Sequence, residues 1–315
     1  MATLAYVILD GGMGRLLESI GAPFRLPEWS ALALIEAPEF VTRAHEVYVE
    51  AGADIITTNS YGVLPHMIGE ERFRLEGRAL ADRAGRIARA VANAAPRPVQ
   101  VAGSLPPLFG SYKPQAFVAG TAPAILSELV AGLADTVDLW LIETQSSTRE
   151  AFAALAAVEG TGRPSYVSFT LRDEEGRSGP PELRSGEPVG EAVAATLERG
   201  VEAILFNCSQ PEAMTAAVVA ARRAIDESGR GQVGLGVYAN AFAPEPPSNA
   251  PYAGISQLRA DLDPASYLSW VRAWVAAGAT IVGGCCGIGP AHIAAIREDR
   301  EGVSSSRYGD PTQPI

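Results

Sequence analysis

Eight short apolar runs, separated by stretches of helical periodicity, constrain this chain more than any other feature. The runs cover residues 6–9, 54–58, 99–102, 138–142, 165–169, 203–206, 233–237 and 280–282. They are continuous rather than alternating, the pattern of strands buried on both faces of a parallel sheet. Ala/Leu/Arg/Glu-rich helical stretches at 38–51, 72–92, 122–133, 147–158, 189–198, 212–228, 264–276 and 290–297 fill most of the intervals. Several open near a proline, whose missing N–H is unpaired in a first turn anyway. Eight strand–helix units fit a (β/α)8 TIM barrel, whose usual size is about 250 residues. No G-x-G-x-x-G opens the first helix, which speaks against a dinucleotide-binding doubly wound sheet. The expectation is a single barrel over 1–300 and a flexible or weakly packed tail over 301–315, where apolar residues are scarce. Segments 106–121, 172–188 and 241–259 are rich in Gly, Pro and Ser and fall where βα loops would lie, on the face that carries function in a barrel.

Composition narrows the function classes. Hydrophobic residues make up 47% of the 315, enough for a sizeable core and too many for a disordered chain. The 25 basic and 36 acidic residues leave a net charge of −11, and the basic residues between 72 and 89 are interleaved with acidic ones. A phosphate-binding surface needs clustered Lys and Arg, so no nucleic-acid partner is expected. No stretch approaches ~18 uninterrupted apolar residues, so no membrane span is expected. The first apolar run is too short for a secretory signal, which makes the cytoplasm the expected location.

Polar and reactive residues recur where the predicted strands end. These are Asp10-Gly11-Gly12, Thr58-Asn59-Ser60-Tyr61, Gly103-Ser104, Glu143-Thr144, Thr170, Asn207-Cys208, Tyr238-Ala239-Asn240 and Gly283-Gly284-Cys285-Cys286-Gly287. A barrel gathers its strand C-termini on one rim, so Cys208, Cys285 and Cys286 are brought to one mouth. Three converging thiolates suit Zn²⁺, and an open fourth position marks a catalytic rather than a structural site. Of the three histidines, His45, His66 and His292, only His292 is placed to be a fourth ligand, and all three read better as structural. Plainer readings stand beside these. Cys208 alone suits a small buried hydrophobe, Asp10 suits a cap on the first helix, and Trp29-Ser30 suits a helix start. Glu143, at the end of an apolar strand, needs a partner.

Taken together, the strings Leu9-Asp10-Gly11-Gly12-Met13-Gly14, Trp29-Ser30, Ala51-Gly52-Ala53-Asp54-Ile55-Ile56-Thr57-Thr58-Asn59-Ser60-Tyr61, Gly103-Ser104, Glu143-Thr144, Asn207-Cys208 and Gly283-Gly284-Cys285-Cys286-Gly287 resemble the homocysteine S-methyltransferase family. The resemblance runs from about residue 6 to residue 297 and implies a (β/α)8 barrel. It implies that Cys208, Cys285 and Cys286 bind Zn²⁺. It further implies that Asp10, Gly11, Gly12, Glu143 and Asn59 serve substrate binding, with Asp10 and Glu143 at the amino-acid end of homocysteine and the glycine N–H groups near its carboxylate. Arg15 and Phe206 stand where members of the family often carry smaller residues.

The chemistry implied is methyl transfer to a substrate thiolate, with no catalytic side chain beyond the zinc-activated thiol. A free thiol has a pKa near ~8.5 and is mostly protonated at neutral pH, whereas coordination deprotonates it. Among methyl donors, a single barrel of this length looks most like members using S-methylmethionine or S-adenosylmethionine; betaine-dependent members tend to be longer. The rim-loop aromatics Trp29, Tyr61, Phe109, Tyr112, Tyr238 and Phe242 suit an onium cation or simple loop anchoring. A betaine-dependent enzyme and a non-catalytic zinc- or thiol-binding barrel are the competing readings.

Overall fold

The computed structural model describes residues 6–174, 176–243 and 257–305. Its eight strands are β1 (Val7–Ile8), β2 (Ile55–Thr57), β3 (Gln100–Leu105), β4 (Leu139–Gln145), β5 (Ser165–Phe169), β6 (Ala203–Asn207), β7 (Gly234–Tyr238) and β8 (Ile281–Val282). All pair in parallel, in the order β1-β8-β7-β6-β5-β4-β3-β2. The ring closes between β1 and β2 through the parallel bridge Leu9–Ile55, with the Asp10 N–H donating to the Ile55 carbonyl at 3.0 Å. Below that seam the Asp54 carboxylate accepts the Ile8 N–H at 2.9 Å and an Arg300 N–H at 2.5 Å. The expected (β/α)8 barrel is the fold.

The helices expected from periodicity are present as α3 (Pro38–Ala51), α5 (Glu70–Ala94), α6 (Ala122–Leu133), α7 (Thr148–Val158), α8 (Val189–Leu197), α9 (Pro211–Glu227), α10 (Pro264–Ala276) and α11 (Pro290–Ser305). Three short ones outside the periodic stretches lie in the connections after β1 and β2: α1 (Met13–Ser19), α2 (Ser30–Glu36), which begins at the expected Trp29-Ser30 helix start, and α4 (Pro65–Ile68). The last helix runs eight residues past its expected end at 297, so 301–305 is helical rather than tail; residues 306–315 lie outside the described residues, as does 244–256 of the third rim loop. Arg297 of α11 lies over Gly52, whose left-handed φ of 113° ends α3 where a Cβ would strike that side chain.

Two apolar layers follow from this arrangement. The barrel interior is filled by Leu9, Ile55, Ala102, Leu139, Leu141, Ala203, Leu205, Tyr238 and Ile281, with Tyr166 and Cys285 packed against them. A larger layer lies between the strands and the surrounding helices and holds the fully buried Trp140, Trp274, Tyr48 and Phe206. Among the described residues no helix is long and apolar enough to cross a membrane.

Candidate active site

The C-terminal strand ends build the site. Cys208 follows β6 with a left-handed φ of 51°, which bends the chain sharply out of the sheet. Cys285 and Cys286 form a turn after β8, closed by the Ile288 N–H donating to the Cys285 carbonyl at 3.0 Å. The end of β7 ties the two turns together. The Cys208 N–H donates to the Tyr238 carbonyl (3.3 Å), the Cys285 N–H to the Ala239 carbonyl (2.9 Å), and the Ala241 N–H to the Cys286 carbonyl (2.8 Å).

As a result the three Sγ atoms lie within 4.8 Å of one another, with Cys208 and Cys286 separated by 4.0 Å. Tetrahedral Zn–S bonds of about 2.3 Å place sulfurs roughly 3.8 Å apart, so the trio has the dimensions of a three-sulfur face. No other His, Cys, Asp or Glu joins the group among the described residues. His292 does not supply a fourth ligand. Its Nδ1 accepts the Gly289 N–H at 3.1 Å, which leaves the proton on Nε2, and Nε2 donates to the Leu262 carbonyl at 2.9 Å. His45 is fully buried within α3, and burial pushes it down to about 4; it takes no part in the site.

Asn207 organises the floor beneath the sulfurs. Its Oδ1 accepts the Thr144 N–H (3.0 Å) and the Ser168 hydroxyl (2.7 Å), while its Nδ2 donates to Thr144 Oγ1 (2.9 Å) and toward Cys285 Sγ (4.0 Å). Crowding three thiols together leaves them unequal. Hydrogen bonding to its two neighbours and burial push Cys285 up, while hydrogen bonding to Cys208 and Cys285 pulls Cys286 down against burial.

Asp10 does not cap α1, whose N-cap is Gly12 without a side-chain bond. Instead its Oδ2 accepts the Thr57 N–H (2.7 Å) and its Oδ1 the Thr57 hydroxyl (3.0 Å), and burial pushes it up to about 7 against those bonds. Glu143 finds the partner its position demands in the Ser104 hydroxyl, which donates to Oε1 at 2.5 Å; burial pushes it up to about 8. Gly12 directs its N–H to the Ile288 carbonyl at 2.9 Å, and a Cβ on it would lie 2.6 Å from the Cys285 carbonyl. Its role is therefore close approach, and the backbone donors at this corner are the Gly11 N–H and the opening amides of α1, which no intrahelical carbonyl satisfies. Asn59 is buried and donates from Nδ2 to the Ser30 carbonyl at 3.0 Å, fastening the turn after β2 to α2.

The rim loops add a layer of aromatics. Tyr61 and Ser111 share a 2.6 Å hydrogen bond between their hydroxyls, and Trp29, at φ 51°, packs edge-on against Phe24. Arg184 and Asp173, in the loop after β5, also reach this layer and were not anticipated. The one signal available was charge inside a Gly/Pro-rich rim loop, which is common in surface loops generally.

Comparison with known proteins agrees with this geometry. A family model described as homocysteine S-methyltransferase matches residues 7–299. The chain is 31% identical to the homocysteine S-methyltransferase of Escherichia coli (strain K12), over 92% of this chain and 94% of that protein. It is 27% identical to a selenocysteine methyltransferase of Astragalus bisulcatus, over 92% of this chain and 90% of that protein. Its fold superposes on the crystal structure of the homocysteine methyltransferase MmuM from Escherichia coli in a metallated form, with a TM-score of 0.72 and 27% identity over 93% of this chain and 96% of that one.

Proposed function

The chain belongs to the homocysteine S-methyltransferase family and transfers a methyl group to the thiol of homocysteine; from that premise we propose that it works with one Zn²⁺ held by Cys208, Cys285 and Cys286 and with a sulfonium as methyl donor. One observation carries this reading: three sulfurs from two strand ends converge within 4.8 Å while no fourth protein ligand joins them among the described residues. When bound there, the ion supplies Lewis acidity that turns a thiol of pKa near ~8.5 into a thiolate at neutral pH.

The chain's own residues hold the acceptor. Glu143 receives the ammonium group. Asp10, whose charge reaches Glu143, deepens the negative field that attracts it. The Gly11 N–H and the start of α1 receive the carboxylate, an arrangement that helix N-termini favour. Gly12 lets this turn lie against the cysteine turn, and Asn59 acts through the rim turn it fastens. A cationic donor meeting an anionic sulfur loses both charges on transfer, a step that exclusion of water favours. A neutral thioether leaves more readily than a tertiary amine, which favours S-methylmethionine or S-adenosylmethionine over betaine. The product from homocysteine is methionine. The same soft site suits a selenol acceptor, in keeping with the similarity to a selenocysteine methyltransferase. Three free cysteines at one mouth suit a reducing compartment, which supports a cytoplasmic location.

The test joins metal content to a donor panel. Purified protein should hold about one zinc per chain, and Cys208→Ala, Cys285→Ala or Cys286→Ala should each lose most of it, because two thiolates bind weakly. Full occupancy in any of the three would overturn the three-sulfur site. Zinc-loaded protein with homocysteine should form methionine from S-methylmethionine or S-adenosylmethionine. Turnover from betaine alone would replace the donor and leave the metal site standing. Full zinc with no turnover from any donor would favour a binding barrel or a different acceptor.

A further inference from the structure

We propose that Arg184 is a positioning residue that holds Tyr112 against the sulfur cluster and thereby shapes the path of the methyl donor. The proposal rests on the methyl-transfer reading above. Tyr112, in the loop after β3, has a left-handed φ of 64°, a conformation that residues with a Cβ adopt rarely. Its hydroxyl lies within reach of Cys208 Sγ, and the hydroxyl-to-hydroxyl bond of Tyr61 with Ser111 fixes the residue just before it.

One face of the Tyr112 ring is covered by Arg184, whose guanidinium carbon lies 4.4 Å from the ring centroid. Arg184 is itself anchored. Its backbone N–H donates to the Thr170 carbonyl at the end of β5 (3.1 Å), and its Nη2 donates to Asp173 Oδ1 (2.7 Å). The other oxygen of Asp173 accepts the Gln210 N–H at 2.8 Å, two residues beyond Cys208. Loops after β3, β5 and β6 therefore meet at one ring beside one metal-ligand candidate.

Space filling does not explain this arrangement. The Asp173 side chain is only 9% exposed, and the Arg184 Nε is buried with no partner among the described residues. Desolvating an ion pair and stranding a donor both work against stability, and an apolar pair would fill the same volume at less penalty. What the pair does is fix a ring. Because the guanidinium occupies one face of that ring, Tyr112 serves as a wall and a donor toward sulfur rather than as a platform for the onium group.

The test uses the full chain loaded with zinc for kinetics and with Co²⁺ for spectroscopy, in the wild type, Arg184→Met, Arg184→Lys, Tyr112→Phe and the Arg184→Met/Tyr112→Phe double variant. Arg184→Met should lower kcat/KM for S-methylmethionine by about tenfold or more, as misplacement near a reacting group does, with metal content and the homocysteine KM unchanged. Arg184→Lys should recover part of the loss. The thiolate-to-cobalt charge-transfer band should shift in Arg184→Met as it does in Tyr112→Phe, and no further in the double variant. A kcat/KM within about twofold of wild type, an unshifted band, or a parallel loss of metal and homocysteine binding would each overturn the proposal. Should the wild type use no sulfonium, the donor reading fails and the cobalt band decides this proposal by itself.

Discussion

Glu143 and Asp10 are the carboxyl groups that burial moves furthest, to about 8 and about 7 from ordinary values of 4.5 and 3.8. A raised pKa in the folded protein means stability that is full below pH ~4 and lost as pH rises through 7 and 8. An ammonium group placed against Glu143 reverses that loss by favouring the ionised form. Homocysteine binding near pH 7 should therefore release protons from Glu143 as well as from the thiol. Calorimetry in two buffers of different ionisation enthalpy counts them, and Glu143→Gln should remove one share while raising the homocysteine requirement and leaving metal content unchanged. Loss of metal along with activity would show that Glu143 serves the metal site instead. His45 runs the other way. Burial lowers it from 6.5 to about 4, so its contribution is full above pH 6.5 and lost as pH falls toward 4. The difference corresponds to about 3 kcal/mol. Urea unfolding of wild type and His45→Leu across that window should show an acid loss of this order in the wild type that the variant lacks.

At the level of elements, the cysteine turn and the start of α1 are packed backbone to backbone. A Cβ at Gly12 would meet the Cys285 carbonyl at 2.6 Å and the Cys286 Cα at 3.1 Å, neither of which is a flexible side-chain end. Gly12→Ala should weaken metal retention against a chelator and lower stability by about 1–3 kcal/mol. Gly14→Ala, two residues on inside α1 with its nearest neighbour at an ordinary 3.7 Å, should instead raise stability by about 0.5–1 kcal/mol. Unfolding curves of the pair separate close approach from helix propensity. This contrast also explains what could be read in advance. Long amphipathic helices such as α3, α6 and α10 have the bounds that periodicity predicts, and β5 coincides with its apolar run. Helices α1 and α2 carry no periodic signal because each has seven residues and neither has a side-chain cap; the start of α2 at Trp29-Ser30 was legible, its extent was not. Strands β3 and β4 run three residues past their apolar cores because Ser104 and Glu143 satisfy each other inside the mouth. The cysteines and both carboxylates were legible because each marks a strand end. The Arg184–Tyr112 contact was not, since loops have no period that announces their partners.

Over the whole molecule, a ligand that binds only the folded chain adds stability in proportion to the logarithm of its excess over Kd. A thousandfold excess is worth about 4 kcal/mol. Chelation should therefore lower Tm of the wild type by several degrees, a shift on the order expected for that energy, and should leave Cys208→Ala unmoved. An equal shift in both would mean that the chelator acts elsewhere. The ring of strands sets one more condition, on synthesis. Cys208 and Cys286 touch across 78 residues of chain, and β8 is the element that joins β7 to β1. At ribosomal rates of about 5–20 residues per second, Cys208 waits roughly 4–16 s for its partners to be made. During that interval a nascent chain has one thiol and no chelating trio, so it cannot capture a metal ion prematurely. Metal uptake by the three sulfurs is therefore expected only once the turn after β8, which carries Cys285 and Cys286, has been translated.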